Sequence, residues 1–193
     1  REPQKIAGRR ITSADDPKLA IRVWRGDIST SWVRLLYQHS VSSLALTGQD
    51  AQFIIAERRP KTKICDAEDV EREVDFGFVG DIKKINKQVV TTLWQANIVP
   101  IVAPLATSID GTLLNINADT IATELSIALK ADALCMMSNT DGILGNYKDP
   151  NSRIPHITSV QAKELLDNGT IRTGMRPKVE GIIYALQKGV SNI

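Results

Sequence analysis

The sequence is poor in the residues that build disulfide and metal frameworks. Its 193 residues hold two cysteines and two histidines. Cys65 and Cys135 lie far apart with no Cys-x-x-Cys, and neither they nor His39 and His156 show metal-ligand spacing. No metal site is therefore expected, and both histidines are read as structural. Cys135, inside the apolar run Ala133-Leu134-Cys135-Met136-Met137, is expected to be a buried thiol, and Cys65 to lie in a charged loop. Without a disulfide framework, a reducing, cytoplasmic compartment is expected. No apolar run approaches membrane-spanning length and no signal-like segment opens the chain. Aromatics make up 5% and the net charge is +2, with basic residues scattered rather than striped. That pattern argues against a nucleic-acid partner. Neither Gly-x-x-x-x-Gly-Lys-[Ser/Thr] nor Gly-x-Gly-x-x-Gly occurs, so the Walker loop and the dinucleotide fingerprint are excluded.

What is present is an ordinary globular composition, 42% hydrophobic and 24% charged, in a length suited to one domain. The organising stretch is Leu113 to Lys130. A short apolar run turns at Asn115, Asn117 and Asp119, then continues with Ile121, Leu125, Ala128 and Leu129 at helical spacing. Asp119 is expected to cap that helix. Upstream, Asp15-Asp16-Pro17 signals a helix start. The helical pattern running to Tyr37 is broken, and Gly26 is expected to divide it in two.

Ser43 to Leu46 and Phe53 to Ala56 read as strands around the turn Thr47-Gly48-Gln49-Asp50. Asp66, Glu68, Asp69, Glu71, Glu73 and Asp75 crowd a stretch read as a solvated loop. Asp75 to Asp81, with glycines flanking an apolar pair, suggests a hairpin or bulged edge. Asn86 is placed to cap the next helix, and Ile98 to Leu105 and Ala133 to Met137 read as strands. Ser159 to Asp167 reads as a helix stopped by Asn168-Gly169. Gly174 to Pro177 reads as a turn, and Lys178 as the opening of the last helix. Helix and apolar strand alternate from Asn86 onward, which predicts an α/β layer fold with a largely parallel sheet. In such sheets ligands bind at the ends of strands and the starts of helices.

Several segments, taken in order, resemble the N-acetylglutamate kinases of the amino-acid kinase superfamily. They are Gly8-Arg9-Arg10-Ile11-Thr12, Leu46-Thr47-Gly48-Gln49-Asp50, Gly77-Phe78-Val79-Gly80-Asp81 and the strand Pro100 to Leu105. To these are added Asn115-Ile116-Asn117-Ala118-Asp119 and Gly174-Met175-Arg176-Pro177-Lys178-Val179. The resemblance implies a three-layer α/β sandwich with a small hairpin region. Residues up to about 97 would bind an acylated amino acid, and the remainder, to 193, a nucleotide.

It also implies ATP, with Mg²⁺, as phosphate donor, the side-chain carboxylate of an acylated glutamate as acceptor, a role in arginine biosynthesis, and a homodimer. By resemblance Lys178 binds the transferring phosphate and Asp119 orients that lysine. Arg10 holds the substrate α-carboxylate through a two-pronged pair, and Asn115 and Asn117 belong to the substrate side. Spacing to Ile11-Thr12 favours Arg10 over Arg9. The nucleotide is bordered by Asn139, Thr140, Asp141, Gly142, Ile143 and Leu144, and by Thr170, Ile171, Arg172, Gly174 and Met175.

The sequence departs from the family in four respects. The family's first strand, which ends in a phosphate-binding lysine and glycines, is not found, and both ends of the chain are expected to be cut. Asn139 stands where most members have Asp, Thr173 replaces a common Gly, and Arg176 replaces an apolar residue. Two alternatives stay open at this point. One is the same chemistry on an N-succinylglutamate or aminoadipate derivative. The other is a non-catalytic relative that binds an amino acid or a partner.

Overall fold

A computed structural model describes residues 5–6, 9–65, 71–139, 142–146, 148–171 and 175–193. The chain divides into two compact units, Arg1–Ile121 and Ala122–Ile193. Among the described residues no helix is long and apolar enough to cross a membrane.

The first unit opens with β1 (Lys5–Ile6) and β2 (Arg9–Arg10), a small antiparallel pair. Helix α1 (Asp16–Ile21) follows, with Pro17 buried in its first turn, where a missing N–H costs nothing. The expected break at Gly26 does not occur. Residues Arg22–Ile28 form a π-helical segment that runs directly into α2 (Ser29–Gln38). The Ser29 N–H reaches back five residues to the Trp24 carbonyl, so the helix widens instead of stopping.

Strand β3 (Ser43–Thr47) pairs in parallel with a later strand, β8. The Thr47–Asp50 turn then delivers β4 (Ile54–Arg58). Strands β5 (Thr62–Cys65) and β6 (Glu71–Val74) form an antiparallel hairpin. Cys65 therefore ends a strand, and the acidic stretch from Glu71 is a strand rather than a loop; Asp66, Glu68 and Asp69 lie outside the described residues. Cross-strand pairing of Thr62 with Val74 and Ile64 with Arg72 gives these β-prone positions a partner, which a count of charges does not register.

Strand β7 (Gly80–Ile85) runs antiparallel to β4 with a register shift between Ile55 and Ala56. Helix α3 (Lys87–Gln95) starts at Asn86, whose side chain accepts from the Gln88 N–H. Strands β8 (Val99–Ala103), β9 (Leu105–Thr107) and β10 (Leu113–Asn115) complete the unit. One sheet has the order β10-β9-β4-β7, and the parallel pair β3-β8 lies beside it. Parallel pairing thus joins β3 to β8 and β4 to β9; short connections make β1-β2, β5-β6 and β9-β10 antiparallel neighbours, and β7 returns antiparallel to β4 after the β5–β6 hairpin. Phe53, Ile54, Phe76, Leu105 and Leu114 are almost fully buried in this unit. Each contributes on the order of 1.5–3 kcal/mol by leaving water.

Helix α4 (Ala118–Leu129) begins in the first unit and continues in the second. Its start is capped by Asn117, not by Asp119: the Asn117 side chain accepts from the Thr120 N–H at 3.1 Å, while Asp119 sits inside the first turn. An acidic residue there still suits the helix dipole.

In the second unit, the run 133–137 is not a strand. Only Ala133 bridges, in parallel, to Asn192, and the Leu134 N–H donates to the Asn192 carbonyl. Cys135 is accordingly exposed, against expectation, because among the described residues nothing pairs with the rest of the run. Helix α5 (Ser159–Asp167) carries a capping box of Thr158 and Gln161. Helix α6 (Met175–Gln187) starts before Lys178, so Met175, Arg176 and Pro177 are helical rather than turn residues. Pro is tolerated in that first turn, where its missing N–H would have no helical partner. Gly189, at φ +99°, ends the last helical turn, its N–H donating to the Leu186 carbonyl. Ala162, Leu166, Ile171 and Val179 form the buried core of this unit, and the N-terminal half of α6 supplies Val179 to it.

Candidate functional site

Of the residues expected to face the substrate, Asn115 stands at the end of β10 and contacts Thr12. The Asn115 N–H donates to the Phe78 carbonyl at 2.8 Å, and its side-chain amide donates to the Thr12 hydroxyl at 3.4 Å. Thr12 is buried, and its backbone is held on both sides: its N–H donates to the Phe76 carbonyl, and its carbonyl accepts from the Phe78 N–H. This close parallel bridge to Gly77 requires glycine. Gly77 has φ +74°, and a Cβ there would strike the Thr12 carbonyl. The Gly77–Asp81 segment is therefore not a hairpin. It is a crossing that locks the Thr12 segment beside Asn115.

Arg10 lies two residues before Thr12, in β2, paired with Lys5. Asn117 is occupied as the cap of α4, and Asp119 lies in that helix's first turn. Thr12 was present in the sequence only as the last residue of a motif. Its pairing with Asn115, across a separation of 103 residues, left no local signal.

A second group surrounds the Thr47–Asp50 turn. The Asp50 carboxylate accepts from the Thr47 N–H at 2.6 Å and from its hydroxyl at 3.0 Å. Arg25, from the π segment, donates to the Ala45 carbonyl and lies 3.5 Å from Asp50. The Gly48 N–H donates to the Leu105 carbonyl at 2.6 Å, and a Cβ on Gly48 would lie 2.7 Å from that oxygen and 2.9 Å from the Ala106 Cα. Arg25 was not a sequence candidate, since a single arginine beside a glycine carries no pattern.

Beside Phe78, an open cleft of about 580 Å³ is lined by Glu57, Arg58, Ser108, Asp110 and Thr112 among others. The Arg58 guanidinium stacks over the Phe78 ring at 5.1 Å. The Ser108 hydroxyl and the Thr112 N–H hold the Asp110 carboxyl below its usual range, so the cleft carries a firmly ionised carboxylate. The Gly77 N–H, supported by Arg58, likewise lowers the pKa of Asp75.

In the second unit, three of the residues expected to border a nucleotide come together. Ile143, Ile171 and Met175 share one apolar cluster with Val179. Ile143 is fixed by accepting from the Ile154 N–H, and Leu144 bridges to Arg153. Gly142 turns the chain at φ +121°. Thr170 is held by its N–H to the Asn168 side chain, and Asn139 is exposed. Thr140, Asp141, Arg172 and Gly174 lie outside the described residues. Lys178 is half-buried, one turn into α6. Its neighbour Arg176 is exposed and bonded to Glu180 at 2.9 Å.

The apolar cluster packs beside the start of α6, and a helix start that carries a lysine favours phosphate. No cluster of three or more His, Cys, Asp or Glu that could cage a metal occurs among the described residues. Mg²⁺ in phosphoryl transfer rests on phosphate oxygens and water with one or two carboxylates, so the donor set is compatible with it.

The parts define a class: an α/β protein with a polar strand-end cluster in one unit and a lysine-bearing helix start in the other. The sequence profile of the amino acid kinase family matches residues 2–193. The chain is 37% identical over 190 residues to the acetylglutamate kinase of Methanosphaera stadtmanae, covering 98% of this chain and 64% of that protein. It is 36% identical over 195 residues to the acetylglutamate kinase of Cytophaga hutchinsonii, covering 100% of this chain and 70% of that protein.

Among solved structures, smu.665 from Streptococcus mutans UA159 superposes with a TM-score of 0.80 at 32% identity, over 98% of this chain and 71% of that one. An N-acetylglutamate synthase of Neisseria gonorrhoeae, complexed with coenzyme A and N-acetyl-glutamate, has a TM-score of 0.76 at 21% identity, over 98% and 40% of the two chains, and shares the fold. The chain belongs to the amino acid kinase family. It spans 64% and 62% of the lengths of the first two curated relatives.

Proposed function

We propose that the protein containing this chain transfers the γ-phosphoryl group of ATP to the side-chain carboxylate of N-acetyl-L-glutamate. A carboxylate oxygen attacks the γ-phosphorus, the bond to the ADP oxygen breaks, and an acyl phosphate and ADP result. Likeness to proteins named acetylglutamate kinase over 98% or more of the chain carries this reading. The Thr12–Asn115 pairing at the end of β10 supports it, because it builds a partly buried polar corner from two of the matching motifs.

Such chemistry asks a protein for positioning and charge neutralisation. Arg10, Asn115 and Asn117 are assigned to the acylated amino acid, and Asp119 to orienting the phosphate lysine. The segments 139–144 and 170–175 are assigned to ATP, with Lys178 on the transferring phosphate. Mg²⁺ bound with the nucleotide would add positive charge to the phosphates. A homodimer in the cytoplasm fits two surface features. The first helical stretch leaves Leu19, Val23, Ile28, Trp32 and Leu35 exposed, and Cys135 is a free exposed thiol.

The test traps the acyl phosphate with hydroxylamine, using the full-length gene product with ATP, Mg²⁺ and N-acetyl-L-glutamate, and N-succinyl-L-glutamate as a second acceptor. Lys178→Ala is expected to lower turnover by roughly 10²–10³, the loss typical of a charge-stabilising group. Near-normal turnover in a folded Lys178→Ala protein sinks the assignment, and product from the succinyl compound alone redirects the substrate.

A further inference from the structure

The contacts of the first unit close into a ring. Thr12, just ahead of α1, receives the Asn115 side-chain amide. Asn115 pairs in register with Leu105, whose carbonyl accepts the Gly48 N–H. Gly48 belongs to the turn held by Asp50, and Asp50 faces Arg25. Arg25 returns the path to the helix that begins just after Thr12.

Arg25 reaches this position because it sits in the π segment. Inserted π turns re-aim side chains and recur at functional positions. Its guanidinium meets two acceptors that diverge, the Ala45 carbonyl and the Asp50 carboxylate. A forked donor can hold both at once, whereas an ammonium group holds one geometry at a time. Asp50 in turn saturates Thr47, which is fully buried.

We propose that Arg25 is a positioning residue for the acylated amino acid. It clamps the Thr47–Asp50 turn and, through Gly48 and Leu105, fixes the position of Asn115. The proposal rests on the functional reading above and deepens it on the substrate side. It predicts a defect confined to that side, because every link lies in the first unit.

The experiment compares Arg25→Met, Arg25→Lys and the control Arg34→Met, an exposed arginine on the same helical stretch, in the full-length gene product. Arg25→Met is expected to raise KM for N-acetyl-L-glutamate roughly tenfold, with KM for ATP and kcat within about twofold, as suits a lost charged hydrogen bond. Arg25→Lys is expected to fall between it and the parent, and Arg34→Met to match the parent. A merely structural role would lower the folded fraction and kcat while leaving both KM values alone; that result overturns the proposal.

A readout independent of catalysis accompanies it. In ¹⁵N spectra, Arg25→Met is expected to speed hydrogen exchange at the Gly48 amide and to shift the Asn115 side-chain resonances. Should Arg25→Met fail to fold, Arg25→Lys carries both measurements. Unchanged Gly48 exchange and Asn115 resonances overturn the proposal. A parent protein that forms no acyl phosphate overturns the functional reading instead, and the amide measurements still decide the role of Arg25.

Discussion

Substituting Gly77 by alanine separates two penalties that usually arrive together. Gly77 and Gly111 both have positive φ, +74° and +85°. Around Gly111 an added Cβ meets nothing within 4 Å, whereas at Gly77 it meets the Thr12 carbonyl. Gly111→Ala therefore reports the left-handed backbone cost alone, about 1 kcal/mol. Gly77→Ala adds a collision with main chain that cannot rotate away. Relief requires moving Thr12, which loosens its N–H bond to the Phe76 carbonyl and the Phe78 N–H bond to its own carbonyl. At about 1 kcal/mol for each hydrogen bond, plus strain, the total is roughly 3–4 kcal/mol. That is a large share of the stability of an ordinary domain.

Urea denaturation of both variants measures the two costs, and their difference, about 2–3 kcal/mol, isolates the steric part. Gly77→Ala should also shift the Asn115 side-chain amide signal, because its acceptor moves with Thr12. Equal destabilisation by the two substitutions would refute the close approach of Gly77 to Thr12.

Three further outcomes follow from the same structure. Asn117→Ala should cost about 1 kcal/mol in urea denaturation, the value of an N-cap, while Asp119→Ala should cost less; the reverse order would return the cap to Asp119. Burial pushes the Glu124 pKa up, against a smaller opposing pull from Lys188, so folding favours its protonated form. That contribution is full below the unfolded glutamate pKa and is lost as pH rises through the folded one. Glu124→Gln should thus be the more stable protein at pH 7, by under about 1 kcal/mol after solvent screening, with the gap closing near pH 4; a gap that widens on acidification contradicts the shift. Finally, Cys135 should react with a thiol reagent without denaturant, and Cys135→Ser should remove that reaction; labelling of Cys135 only after unfolding would show it to be buried.

Where chemistry is local, the sequence was a good guide to the fold. Asn86 caps α3, Pro17 opens α1, and Asn168-Gly169 closes α5, because each acts within a turn of itself. The helix before β3 runs on through Gly26, where the sequence pattern shows a break, because a π segment takes more residues per turn. Apolar positions before and after it fall out of phase, and a phase slip looks like a break. Cys135 departs from expectation for the opposite reason. Its apolar run has strand composition, but a strand needs partners, and pairing reaches only Ala133. The family motifs brought out Asn115 and the Thr47–Asp50 turn. They were silent on Arg25, whose meaning depends on the 20 residues that separate it from Ala45.

The meeting of the β3-β8 pair with the four-stranded sheet has a genetic consequence. The Gly48 N–H bonds the Leu105 carbonyl, and the Gly48 carbonyl accepts the Ile54 N–H, so main-chain atoms hold this seam. Exposed Gln49 next door is free to vary. In a saturation library, Gly48 should be the seam position that refuses even alanine, because a methyl group there collides with the Leu105 and Ala106 backbone behind it.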